Sequence, residues 1–132
     1  MTRTVYLGEN PSEKHLEIYN IVLEAQKMAC AAVKVGMTCA ELDKIARDYI
    51  SSKGYGDNFG HGLGHGIGVY IHEHPTVNGK SDVVLDEGMV ITIEPGIYID
   101  GFGGVRIEDD VVVRKDGGEI LNKTSKELII IK

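Results

Sequence analysis

No apolar run in this chain approaches the roughly 20 residues needed to cross a bilayer, and its first ten residues, "MTRTVYLGEN", lack the apolar centre of a signal peptide. A cytoplasmic location is the expectation. Basic residues are also in deficit: 14 Lys and Arg stand against 20 Asp and Glu, for a net charge of -6, and the lysines are scattered. That pattern argues against both nucleic-acid and anionic-membrane partners. The only two cysteines, Cys30 and Cys39, are nine apart and form no CxxC unit. A disulfide scaffold or thiolate metal site is therefore not expected, which leaves free thiols buried in helical segments. Internal repeats and low-complexity linkers are absent as well.

What is present fits a globular domain, with 26% charged and 42% hydrophobic residues. A chain of 132 residues forms one domain that buries roughly two thirds of its unfolded surface. It opens on a short β-type run, Thr4 to Leu7, at the edge of a sheet. Asn10 then predicts a helix cap, with Pro11 at the first helical position and Glu13 completing a capping box, for a helix that stops at Gly36. A second box, Thr38 and Glu41, opens a shorter helix with Leu42, Ile45, Ala46, Tyr49 and Ile50 on its apolar face, and Gly54 ends it. Beyond Gly54 the runs "GVYIH", "MVITIEP", "GIYID", "VRIEDDVVV" and "ELIII" alternate with turn residues and predict antiparallel hairpins. Two helices followed by strands predict an α+β domain with the helices on one face of a mainly antiparallel sheet.

Four of the five histidines fall within "GHGLGHGIGVYIHEHP", residues 60–75. The glycines around His61 and His65 argue against a helical pair and for a turn or extended backbone that approaches a ligand closely. A strand beginning near Gly66 would put His72 and His74 on one face. Glu94 ends an otherwise apolar strand, where an unpaired carboxylate costs several kcal/mol, so it needs a compensating partner. Glu108 follows Arg106 by two residues on what reads as one strand face. The simpler reading is an Arg106 to Glu108 ion pair. The alternative gathers His65, Glu94 and Glu108 around a divalent cation, a donor set suited to Mn, Co, Fe or Zn rather than Ca or Mg.

"GHGLGHGIGVYIHEHP", "GMVITIEPGIY" and "GGVRIEDDVVV" together resemble the signature blocks of the pita-bread metallopeptidases, the family of methionine aminopeptidase, aminopeptidase P and proline dipeptidase. The resemblance implies a dinuclear centre held by two aspartates, one histidine and two glutamates. His65 matches the histidine, Glu94 the first glutamate and Glu108 the metal-bridging glutamate. It also implies that Glu94 shuttles a proton and that His72 donates a hydrogen bond to the substrate. His61 and Arg106 resemble features of the Xaa-Pro-cleaving branch. There His61 would line the pocket for the proline-side residue, and Arg106 would grip a carboxylate bidentately. The implied cofactor is Mn or Co ahead of Zn or Fe, and the implied substrates are short peptides with Pro second.

One departure stands out. The family's aspartate ligands lie upstream of "TRT", which is present here as Thr2 to Thr4 with only Met1 before it. The expectation is the C-terminal half of a catalytic domain, residues 1–132, without a full dinuclear site and inactive alone. Apolar surface left uncovered would favour a homodimer. A non-catalytic peptide- or protein-binding module is the competing reading, and creatinase-like C–N hydrolysis a third. Retention of all six matching residues favours the peptidase.

Overall fold

The structure, a computed structural model, describes all 132 residues. Strand β1 (Val5–Leu7) leads into helices α1 (Glu13–Ala32) and α2 (Cys39–Ser52), then a 3-10 turn at Gly56–Asn58. The strands that follow are β2 (Gly64–Gly66), β3 (Glu73–Val77), β4 (Val90–Ile93), β5 (Gly96–Ile99), β6 (Gly103–Arg106), β7 (Asp109–Arg114), β8 (Gly117–Ile120) and β9 (Ile129–Ile131). The main sheet runs β3-β2-β4-β7-β8, antiparallel throughout. Hairpin β5-β6 stands beside it, and β1 and β9 pair in parallel as a ribbon of their own. The α+β expectation holds. No helix is long and apolar enough to cross a membrane.

Helix α1 starts two residues later than Asn10 predicts. Ser12 is the cap: its hydroxyl accepts the His15 N–H, and His15 Nδ1 accepts the Ser12 N–H at 3.3 Å. The imidazole is held for this by packing between the rings of Tyr6 and Phe102, at centroid distances of 5.0 and 4.5 Å. Pro11 therefore lies outside the helix. The helix also ends before Gly36, because Val33 turns to an extended ψ of 126° and buries its side chain in the core. The Thr38 and Glu41 box forms as expected, and the backbone and hydroxyl of Thr38 hold the Glu41 carboxyl below its usual range.

Three strand expectations need correction. "GVYIH" is not a strand: residues 68–72 form a bend with Val69 95% exposed, so His72 and His74 do not share a strand face. "VRIEDDVVV" breaks at Ile107 and Glu108, where the chain leaves β5 as its partner and takes up β4. Strand β8 forms in what reads as turn sequence, since Gly118 lies flat against Val33 and Val111 where a side chain would not fit. Both helices cover one face of the main sheet, and their apolar stripes join Ile91, Ile93, Val111 and Val113 in one core. Cys30 and Cys39 are free and buried, and burial pushes the Cys30 thiol up to about 12.

Candidate metal centre

The register of β4 against β7 decides which side chains reach the uncovered face of the sheet. Ile91 pairs with Val111, Thr92 with Asp110 and Ile93 with Asp109, and antiparallel partners share a face. Ile91, Ile93, Val111 and Asp109 thus point toward the helices, and Thr92 and Asp110 point away. The same alternation carries Glu94 and Glu108 to the open face. Adjacent acids, Glu108 and Asp109, therefore meet opposite environments.

His65 comes to the same face from β2, between Gly64 and Gly66. A side chain at Gly64 would overlap the Thr92 carbonyl, and one at Gly66 the His74 carbonyl, so glycine lets β2 close onto both neighbours. The His65 N–H donates to Thr92 Oγ1 at 3.0 Å, and that hydroxyl donates to Glu94 Oε1 at 2.9 Å. One buried threonine thus sets the spacing of two candidate ligands. His65 Nδ1 lies 2.9 Å from the Gly66 carbonyl, which only accepts, so Nδ1 carries the proton and Nε2 faces Glu94 Oε1 at 3.1 Å.

With Nε2 unprotonated the two are apposed acceptors, an arrangement that either a second proton on His65 or a bound cation relieves. Ligand atoms of His65, Glu94 and Glu108 fall within 4.8 Å of one another. Two bonds of about 2.0–2.2 Å to a transition metal span about 4.2 Å at most, so a small closing of the three donors would let them hold one ion. Asp110 Oδ1, on the same face, is buried and accepts no hydrogen bond.

Glu108 is anchored from behind. It exchanges backbone hydrogen bonds with Thr2, and the Thr2 hydroxyl donates to its carboxylate. Arg3 donates to the Glu108 carbonyl at 2.6 Å, to the carbonyls of Thr124 and Ser125, and to Asp109 Oδ1 at 2.7 Å. On the core side Asp109 also meets Lys126 Nζ at 2.5 Å and Gln26 Nε2 at 3.0 Å. Burial alone would push this carboxyl up, but Lys126, Arg3 and Gln26 together outweigh it and hold Asp109 below the usual range.

The other expected residues gather unevenly. His72 packs its ring on His65 at a centroid distance of 4.5 Å. His61 lines the same cleft and hydrogen-bonds Tyr98 through Nε2 at 2.9 Å. Arg106 makes no ion pair with Glu108: its nearest carboxylate is Glu94, through Nε alone at 3.9 Å, because the strand break sends positions 106 and 108 to different partners. Arg106 thus meets Glu94 through one nitrogen and not as a fork. The sequence marks Thr2 and Arg3 only as part of "TRT" and gives Thr92 and Asp109 no role, although Thr92 lies two residues before Glu94 and period two puts both on one face.

Thr92→Val keeps the side-chain shape and removes the hydroxyl that joins His65 to Glu94. It is expected to weaken Mn(II) or Co(II) binding about 10–100-fold with unchanged circular dichroism, as calorimetric titration will read. Affinity equal to that of the unaltered chain would show that the hydroxyl does not position the ligands.

The model of metallopeptidase family M24 matches residues 1–115. An Xaa-Pro dipeptidase of Pyrococcus furiosus is 57% identical over 129 residues, which are 98% of this chain and 37% of that protein. The solved Xaa-Pro dipeptidase of Bacillus anthracis superposes with a TM-score of 0.95 at 56% identity, covering 98% of this chain and 36% of the other. An X-Pro aminopeptidase structure from Thermotoga maritima gives 0.94 at 46% identity, again covering 98% and 36%. The chain thus spans a little over a third of the length of these relatives. Matched by the family model over most of its length, and by these proteins over nearly all of it, the chain belongs to metallopeptidase family M24.

Proposed function

We propose that these residues form part of a divalent-metal peptidase site that cleaves short peptides with proline in second position. The observation that carries this reading is the convergence of His65, Glu94 and Glu108 from three segments onto the one sheet face the helices leave open. The peptide class is supported by relatives named Xaa-Pro dipeptidase. A bound metal, Mn or Co ahead of Zn or Fe, supplies Lewis acidity that acidifies water and polarises the scissile carbonyl.

The protein's own groups divide the remaining work. Glu94, oriented by Thr92 and faced by Arg106, takes up a proton from the attacking water and returns it to the leaving amine. His72, exposed beside His65, donates a hydrogen bond to the carbonyl oxygen as it gains charge. His61, steadied by Tyr98, borders the space for the proline-side residue, and Arg106 meets a carboxylate of the substrate or Glu94. The match between sequence and family provides no aspartates to complete a metal pair within these 132 residues. Because the chain covers only 37% and 36% of these relatives, we read it as part of a catalytic domain that binds a single metal and is inactive alone.

Purified chain in excess Mn(II) or Co(II) should bind one ion and leave Xaa-Pro dipeptides intact. Robust hydrolysis with host enzymes excluded would refute inactivity, and an absence of metal binding would refute the site. The exposed apolar residues Leu7, Ile120, Leu121, Ile129 and Ile131 support pairing of two copies. A monomer in light scattering at high micromolar concentration would count against that pairing.

A further inference from the structure

Helix α2 carries an acid and a base one turn apart that serve no solvent-exposed face. Asp43 is fully buried and Arg47 is one-third exposed, and the guanidinium pairs bidentately with the carboxylate at 2.7 and 3.0 Å. Their remaining valences all go to the loop that carries His61. Arg47 donates to the carbonyls of Phe59 and His61, at 3.0 and 2.7 Å, and lies over the Phe59 ring at 4.3 Å. Phe59 in turn meets the His61 ring edge-on at 5.1 Å. Asp43 Oδ1 accepts the Leu63 N–H at 3.0 Å.

That last bond reaches His61 through one peptide plane. The Leu63 N–H and the Gly62 carbonyl belong to the same planar unit and point in opposite directions. Holding the N–H toward Asp43 therefore aims the carbonyl the other way, and there it meets His61 Nδ1 at 2.7 Å. A carbonyl only accepts, so Nδ1 must carry the proton. A buried carboxylate on the N–H side polarises the peptide and makes its oxygen the stronger acceptor. Nε2 is left as an acceptor for the Tyr98 hydroxyl.

We propose that Asp43 and Arg47 are positioning residues of the site: through the Gly62–Leu63 peptide they fix both the aim of His61 and the nitrogen on which it carries its proton. The part His61 takes in substrate binding rests on the proposed function. The relay itself does not, and it exists without metal or substrate.

The test is a long-range nitrogen–proton correlation spectrum of the imidazoles in the full 132-residue chain, metal-free, above about pH 8, where an ordinary imidazole is neutral. His61 is expected as the Nδ1–H form. His15, whose Nδ1 accepts from Ser12, serves as an internal control of the opposite tautomer. Asp43→Asn should shift the His61 tautomer ratio toward Nε2–H by at least roughly five-fold and leave His15 unmoved. Arg47→Lys keeps a cation beside Asp43 and should produce a smaller shift in the same direction, which preserves the test if Asp43→Asn does not fold. Tyr98→Phe removes the contact at Nε2 and should leave the Nδ1–H form in place. An unchanged His61 in either folded α2 variant, or loss of the Nδ1–H form in Tyr98→Phe, would overturn the proposal.

Discussion

Asp109→Asn is expected to cost about 3–5 kcal/mol, the range found when one partner of a buried ion pair is removed, and to lower the melting temperature by roughly 10–20 °C. The size follows from what remains. Arg3 and Lys126 keep their charges at 9% and 20% side-chain exposure, and no other carboxylate pairs with either of them. The dependence on pH has a definite sign. The folded-state carboxyl lies below its unfolded value, so its contribution is complete above the ordinary carboxylate pKa and fades as pH falls through the depressed one. Urea unfolding should therefore show a wide gap between the two proteins at pH 7 and a narrower one near pH 3. An equal gap at both values would mean that the pair does not carry the stability.

The second large effect concerns the cleft. His65→Ala is expected to reduce Co(II) or Mn(II) affinity by at least about 100-fold, since loss of even a group supporting a ligand costs 10–100-fold. His72→Ala, which removes a ring lying on His65 but no ligand, should change affinity by only a few-fold. Calorimetric titration of both variants separates ligand from neighbour. If the two lose affinity equally, the cleft binds metal through a different set of donors.

Sequence reading groups His65, Glu94 and Glu108 because part of the reason is local: a carboxylate at the end of an apolar strand demands compensation wherever that strand lies, and the fold brings donor atoms of all three within 4.8 Å of one another. It recovered the second helix because Thr38 and Glu41 are both short-range partners of the same backbone. It misplaced the start of the first helix because His15 takes the part that Glu13 would play, and only the packing of Tyr6 and Phe102 makes that available. The ion pair read between Arg106 and Glu108 fails on a tertiary feature, the change of strand partner at Ile107, which no periodicity within "VRIEDDVVV" signals. Asp43 and Arg47 do leave a trace in the sequence, an acid and a base four apart and interleaved with Leu42 and Ala46 of the apolar stripe. Their targets lie 12 to 20 residues further along and were not visible there.

The contrast between Glu108 and Asp109 constrains how this segment can change. A strand has a repeat of two, so deleting Asp110 with Val111–Arg114 held in register would exchange Glu108 and Asp109 between faces. The carboxylate of the candidate metal triad would be pressed against Gln26 on α1, and the one neutralised by Arg3 and Lys126 would be turned toward the cleft. Substitutions here can be graded in their effects, but a single-codon deletion cannot. It would remove candidate ligand and anchor in one event, so length in this segment should be held more strictly than the identity of any residue but these two.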